Sequence, residues 1–144
     1  MSIYLKIPDR KKAVSVICRH GPLFLLIKRK NNPYQNYLAF PGGKMKHGES
    51  AIIAAQRELF EETHLGTSNL AYVTTIIQND KDQSFEILVY EALSFKGRAK
   101  AQDDAKALYW LSFNEMKQHN VIPSVLDIVK NYYDKKSLKP CINI

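Results

Sequence analysis

Hydrophobic positions along the chain recur first at a strand-like period, then at a helical one, then alternate again. Residues 13–19, AVSVICR, are rich in β-branched side chains, and residues 23–28, LFLLIK, make a second apolar run. His20-Gly21-Pro22 between them is a turn signal, so the pair reads as a β-hairpin. Asn31-Asn32-Pro33 opens a polar loop, residues 37–40 form a short apolar stretch, and Pro41-Gly42-Gly43 interrupts it, leaving residues 44–48 as loop. Over residues 50–64 the period becomes helical: Ile52, Ala55, Leu59 and Thr63 form one apolar stripe with Phe60 beside them. Strands are expected over 70–77 and 85–93, around the polar turn Asn79-Asp80-Lys81-Asp82, and over 107–111 after a polar loop at 96–104. Ser112, with Glu115 three residues on, has the form of a capping box and starts a helix through His119. Pro123 and Ser124 open a last amphipathic helix with Val125, Leu126, Val129, Tyr132 and Tyr133 on its apolar side. Residues 1–12 read as an N-terminal extension and 135–144 as a loose tail, which makes residues 1–144 a single domain.

Composition agrees with a globular chain and narrows its partners. With 45% apolar and 24% charged residues, 144 residues suffice to bury a core. No apolar run approaches the roughly 20 residues that cross a bilayer, and residues 1–12 contain no continuous apolar stretch of the kind a secretory signal needs. Cys18 and Cys141 lie far apart, without metal-ligand spacing; they read as a core thiol and a tail thiol in a reducing compartment, with the cytoplasm as default. A net charge of +7 favours anionic partners. The positive charge is scattered over Arg10-Lys11-Lys12, Lys28-Arg29-Lys30, Lys44 with Lys46, and later clusters, so no specific nucleic-acid surface and no membrane contact is expected.

The chemistry concentrates in Arg57-Glu58-Leu59-Phe60-Glu61-Glu62. On a helix Glu58, Glu61 and Glu62 stand at i, i+3 and i+4, so their carboxylates share one face, opposite the apolar stripe. Like charges so placed repel by a few tenths of a kcal/mol per pair, roughly, in an isolated helix, and a divalent cation reverses the sign. Hard oxygen ligands in this number suit Mg²⁺, with Mn²⁺ as the alternative. Ahead of the helix, Gly42 and Gly43 let backbone approach an ion or phosphate closely. Glu49 sits near the helix start, and the guanidinium of Arg57 is suited to hold a neighbouring carboxylate in ligand geometry.

Gly43, five residues, Glu49, seven residues, Arg57-Glu58-Leu59-Phe60-Glu61-Glu62-Thr63, His64 and Leu65 resemble the Nudix box. Every charged position and the first glycine match; His64 stands where the family usually has glycine, at a helix end that favours a left-handed residue, and Gly66 is a candidate to take over that turn. Residues 23–29, Leu38-Ala39-Phe40-Pro41-Gly42-Gly43, and Asp103-Asp104 followed by Tyr109-Trp110-Leu111-Ser112 look like the same family, so the resemblance covers most of residues 13–119. It implies an α/β fold, an α/β/α sandwich with a mixed sheet between helices. It also implies a metal-dependent pyrophosphohydrolase acting on a nucleoside diphosphate linked to another moiety, first ADP-ribose or a nucleotide sugar. The alternative is an oxidised or ordinary nucleoside triphosphate, releasing NMP and pyrophosphate. Carried over residue by residue, Glu58 and Glu62 are metal ligands helped by the Gly43 carbonyl. Glu61 is a general base or bridging ligand. Arg57 orients the glutamates, and Glu49 partners Arg57. Outside the box Asp104 is the first candidate acid, with Asp103 and Glu86 behind it, and Arg29 is a candidate for a substrate phosphate. Trp110 and Phe40 read as core. The partner is a small-molecule nucleotide, and a homodimer is left open.

Overall fold

Alternation along the strands sends side chains to two opposite faces, and a long helix covers each face. The computed structural model describes residues 10–80, 83–101 and 105–138. In chain order the elements are β1 (Lys11–Ile17), β2 (Arg19–His20), β3 (Leu23–Arg29), β4 (Leu38–Ala39), β5 (Gly42–Lys44), α1 (Ala51–Thr63), β6 (Gly66–Asp80), β7 (Gln83–Lys96), β8 (Ala105–Leu111), α2 (Phe113–Met116) and α3 (Pro123–Leu138). One four-stranded sheet runs β5-β1-β7-β6 and is mixed: β1 is parallel to β7 and antiparallel to β5, while β6 and β7 form a long antiparallel hairpin. The other is antiparallel, β2-β3-β4 with β8 on the second edge of β3.

Val14 and Val16 of β1, Leu25 of β3, and Tyr90 and Ala92 of β7 pack with Ala54, Ala55 and Leu59 of α1. Their neighbours Ile17, Phe24, Leu26 and Val89 point the other way, into a second core closed by Met116 of α2 and by Val125, Ile128 and Val129 of α3. This is the expected α/β/α layering, with the refinement that two sheets, one of them mixed, form the middle layer. Each fully buried aliphatic side chain contributes about 1.5–3 kcal/mol of transfer free energy, so both faces are firmly held. No described helix is long and apolar enough to cross a membrane.

Several expectations are corrected. Residues 13–19 and 23–28 do not form one hairpin: β1 pairs with β5 and β7, and only Arg19 and His20 turn back onto β3. β1 is apolar on both faces, which suits a strand covered above and below and paired in parallel with β7 inside the sheet. Cys18 marks the change of sheet; its carbonyl accepts from the Leu25 N–H at 2.9 Å. Its thiol is buried, and burial, with Glu91 behind it, pushes its pKa up to about 12, so it is a packed thiol rather than a nucleophile. Residues 42–44 form a strand, not the break and loop predicted from Pro41-Gly42-Gly43, because Gly42 has no Cβ to meet the Val14 carbonyl and can lie against β1. Lys11 and Lys12 belong to β1 rather than to an extension, and residues 135–138 continue α3 rather than start a tail. Residues 1–9 and 139–144, with Cys141, lie outside the described residues. The capping box at Ser112 and Glu115 is present, but α2 ends at Met116.

Candidate active site

α1 is fixed at both ends. The Ser50 hydroxyl accepts from the Ile53 N–H at 3.2 Å, and His64 takes the left-handed conformation (φ 66°) while its N–H donates to the Phe60 carbonyl at 2.9 Å. The His64 backbone thus takes the left-handed position where the family usually has glycine, and Gly66 opens β6 instead of taking over the turn. The buried stripe differs from the predicted one: Ala54, Ala55, Leu59 and Thr63 face inward, while Ile52, Ile53 and Phe60 are each about half exposed.

Arg57 is the hub of the site. Its Nε donates to Glu49 Oε2 at 2.6 Å and one terminal nitrogen donates to Glu49 Oε1 at 2.9 Å, a bidentate pair. The same terminal nitrogen donates to the Lys44 carbonyl at 3.1 Å, and the other donates to Glu58 Oε1 at 2.7 Å and Glu61 Oε1 at 2.5 Å. Glu49 also accepts the Lys46 N–H at 2.8 Å. The Arg57 hydrogen bonds, then the Lys46 N–H, draw the Glu49 carboxyl down to about 2, and Glu49 first among its partners raises Arg57 further above its usual range. The pair is therefore ionised at any working pH. The fastening to the Lys44 carbonyl ties α1 to β5, a link that residue spacing did not reveal.

β5 supplies a second set of contacts. A Cβ at Gly43 would fall on the Glu58 carboxylate, so the absence of a side chain there is what lets Glu58 lie against the backbone. The Gly42 N–H donates to Glu62 Oε1 at 2.7 Å, and Glu62 is only 3% exposed. Glu62 was expected on an open face with Glu58 and Glu61. It points at β5 instead, because its neighbours Leu59 and Thr63 are both buried and carry it inward. Among the described residues no three carboxylate, imidazole or thiolate side chains already converge as a metal cage, since Glu58 and Glu61 are turned onto Arg57. The donor set is nonetheless that of a hard cation: carboxylate oxygens beside a backbone strip with no side chains.

On the opposite face of β1 and β5 lies a cavity of about 490 Å³. Its walls come from β1 (Ala13, Ser15), the loop after β3 (Asn32, Pro33, Tyr34), the β6–β7 hairpin (Ile76, Gln78, Gln83, Phe85, Ile87) and α3 (Ser124, Val125, Ile128). Gly42, Gly43 and Lys44 line it too, so the strip that meets Glu62, Glu58 and Arg57 also borders the cavity. Its charged lining residues are Arg29 and Lys44; no carboxylate among the described residues lines it. The Lys44 ammonium stands 5.9 Å from the centre of the Phe85 ring.

Arg29 lines the cavity, and its Nε donates to the Pro33 carbonyl at 2.9 Å. Glu86 alternates away from Phe85 and Ile87 and does not line the cavity. Asp103 and Asp104 lie outside the described residues. Phe40 is buried at the cavity floor, whereas Trp110 is only partly buried at the edge of the α1-side core, against His20 and Phe95. Sequence reasoning missed Tyr34, Gln78, Gln83 and Phe85. Only Tyr34 had a signal, an aromatic ring inside a turn-forming run.

The NUDIX domain family model matches residues 9–132. The ADP-ribose pyrophosphatase of Methanocaldococcus jannaschii is 34% identical over 106 residues, 72% of this chain and 63% of that protein. The chain therefore spans somewhat less than two thirds of that relative's length. Among solved structures, a MutT NUDIX hydrolase from Burkholderia pseudomallei superposes with a TM-score of 0.78 at 21% identity, covering 85% of this chain and 97% of its own. The NUDIX domain of Shewanella oneidensis NrtR, solved with ADP ribose, superposes with a TM-score of 0.76 at 18% identity and 90% coverage of both chains. At those identities the two structures speak for the fold.

Proposed function

The chain belongs to the NUDIX domain family, and from that premise we propose that it is a divalent-metal-dependent pyrophosphohydrolase whose first substrate is ADP-ribose. One observation carries the reading: the strip Gly42–Lys44 meets Glu62 through the Gly42 N–H, Glu58 at Gly43 and Arg57 through the Lys44 carbonyl, and the same three residues line the cavity. A diphosphate held along this strip would place its phosphorus atoms beside Glu58, Glu61 and Glu62 and its nucleoside in the cavity. The M. jannaschii relative carries ADP-ribose in its name, and the NrtR domain was solved with it. The first of these, at 34% identity, favours ADP-ribose over a nucleotide sugar or a nucleoside triphosphate; the second supports the fold alone.

Glu58, Glu62 and the Gly43 carbonyl are the proposed ligands of Mg²⁺ or Mn²⁺, with Glu61 as a further ligand or as general base. When bound, the cation neutralises phosphate oxygens and favours attack by water. The chain's own residues do the rest. Arg57, anchored by Glu49 and the Lys44 carbonyl, holds Glu58 and Glu61 in register with β5. Glu62 holds the Gly42 N–H and so fixes the glycine strip. Arg29 and Lys44 give the cavity mouth a positive charge that suits the substrate's anionic part. Water adds to one phosphorus, the bridging P–O bond breaks, and AMP and ribose 5-phosphate leave.

A panel of ADP-ribose, nucleotide sugars and nucleoside triphosphates, each at equal concentration with Mg²⁺, tests the reading. AMP with ribose 5-phosphate as the fastest-formed products supports it; NMP with pyrophosphate replaces it with the triphosphate alternative. Unchanged turnover in Glu61→Gln across the panel would remove Glu61 from the site.

A further inference from the structure

We propose that Tyr34 grips the nucleobase of the substrate, a role that rests on the cavity being the nucleoside end of the site. Tyr34 lies in the loop between β3 and β4, and that loop is tightly pinned. Arg29 donates its Nε–H to the Pro33 carbonyl at 2.9 Å and its backbone N–H to the Tyr37 carbonyl at 2.9 Å. The Arg29 carbonyl accepts the Asn36 N–H at 2.8 Å, and the Tyr34 carbonyl accepts the Tyr37 N–H at 3.0 Å. From outside the loop, the Lys106 ammonium donates to Asn36 Oδ1 at 3.0 Å.

Within this frame two residues are left-handed, Tyr34 (φ 61°) and Asn36 (φ 70°). Asparagine adopts that conformation readily, whereas a bulky side chain does so against a steric penalty. Asn31 and Asn32 show that the segment is rich in the residue that would relieve the strain at position 34. The ring does not compensate by packing into a core: Tyr34 is 38% exposed and meets Tyr37 edge-on, with ring centres 5.2 Å apart. Neither turn chemistry nor burial accounts for a tyrosine here. Its place on the cavity wall does, because strain held by surrounding hydrogen bonds is characteristic of groups positioned for a ligand.

The chemistry of the cavity selects which part of the substrate the ring would meet. Ile76, Ile87, Val89 and Ile128 give it an apolar floor for the faces of a flat ring, while Asn32, Gln78 and Gln83 bring amide groups suited to the polar edge of a base. A base stacked on an aromatic side chain is a sequence-tolerant contact, gained through the π-face rather than through any one polar atom.

Three variants test the role: Tyr34→Gly, which relieves the backbone; Tyr34→Asn, which relieves it while keeping a side chain; and Tyr34→Phe, which keeps the ring. Each is measured for thermal stability, for AMP affinity without metal, and for KM and kcat on ADP-ribose with Mg²⁺. Expected are a melting temperature unchanged or raised in Tyr34→Gly and Tyr34→Asn, AMP affinity and KM both weakened roughly tenfold, kcat changed less, and near-native binding in Tyr34→Phe. A fall in melting temperature with AMP affinity intact would make Tyr34 a structural residue and overturn the proposal. So would wild-type protein that binds neither AMP nor ADP-ribose. If ADP-ribose is not hydrolysed but AMP binding still depends on the ring, the substrate reading fails and the role of Tyr34 stands.

Discussion

The two faces of the strip Gly42–Lys44 are made of opposite materials. On the α1 face a single guanidinium gathers three carboxylates and a backbone carbonyl within a few ångströms. On the α3 face a cavity is walled mostly by apolar side chains drawn from a loop, a hairpin and a helix. The first is ordered by charge, and its parts lie within 22 residues of one another, from Gly43 to Leu65 of the motif. The second is ordered by packing, and its parts range from Ala13 to Ile128. On the proposed function the difference separates bond breaking from recognition: one should be alterable with little change in the other, except along the shared strip.

The largest test of that separation is a crossed pair of variants. Glu61→Gln should lower kcat on the preferred substrate by about 10²–10⁴-fold, the range for removing a positioned general base, with AMP affinity retained. Phe85→Ala, on the cavity side, should raise KM by roughly tenfold through lost stacking or apolar contact and change kcat far less. Product formation and nucleotide binding, measured on both variants, check the pattern. If both variants shift KM alone, the glutamate face is not where the bond is cut.

A smaller effect sharpens the account of the charged face. Arg57→Lys keeps the charge but loses the planar fork that serves Glu49, Glu58, Glu61 and the Lys44 carbonyl together. Activity should fall by about 10–100-fold, as for other residues that orient ligands, and more metal should be needed for half-maximal rate. A lysine variant with native metal dependence would show that positioning by Arg57 is dispensable.

The smallest effect is one of pH. Glu49 is depressed in the folded chain, to about 2 from its ordinary value near 4.5. A depressed carboxylate contributes stability that is fully present above its unfolded pKa and is lost as pH falls through the folded one. The melting temperature should therefore decline as pH drops from about 4.5 toward 2, and Glu49→Gln should flatten that decline. Parallel curves for the two proteins would disconnect Glu49 from acid stability.

These two faces also differ in how far they were legible beforehand. The α1 face was read from spacing, because a helix converts intervals of three and four residues into neighbourhood, and Arg57, Glu49 and Glu58 stand in the contacts expected of them. Glu62 escaped because spacing gives an angle around the helix, not what faces it; the Gly42 N–H draws it inward. β5 escaped for a related reason. Glycines that signal a turn in isolation serve here to bring two backbones together. The bend at Cys18, where one apparent hairpin divides between two sheets, depends on which strands compete for β1. Nothing in the local sequence around Gln78, Gln83 or Phe85 announces a cavity, since only the tertiary fold brings the hairpin opposite Pro33 and Tyr34.

The glycine strip has a consequence for how this chain tolerates change. A side chain at Gly42 would strike the Val14 carbonyl, and one at Gly43 would strike the Glu58 carboxylate. The rest of the cavity wall is built from side chains that neighbours of similar volume can replace. A saturation library selected for activity should then show a narrow intolerant band two residues wide at positions 42 and 43, next to more permissive zones at 76–78 and 83–87 that accept replacements of similar volume. New substrate preferences would accumulate in those permissive zones, and lineages descending from this chain would diversify by changing the pocket while inheriting the strip unaltered.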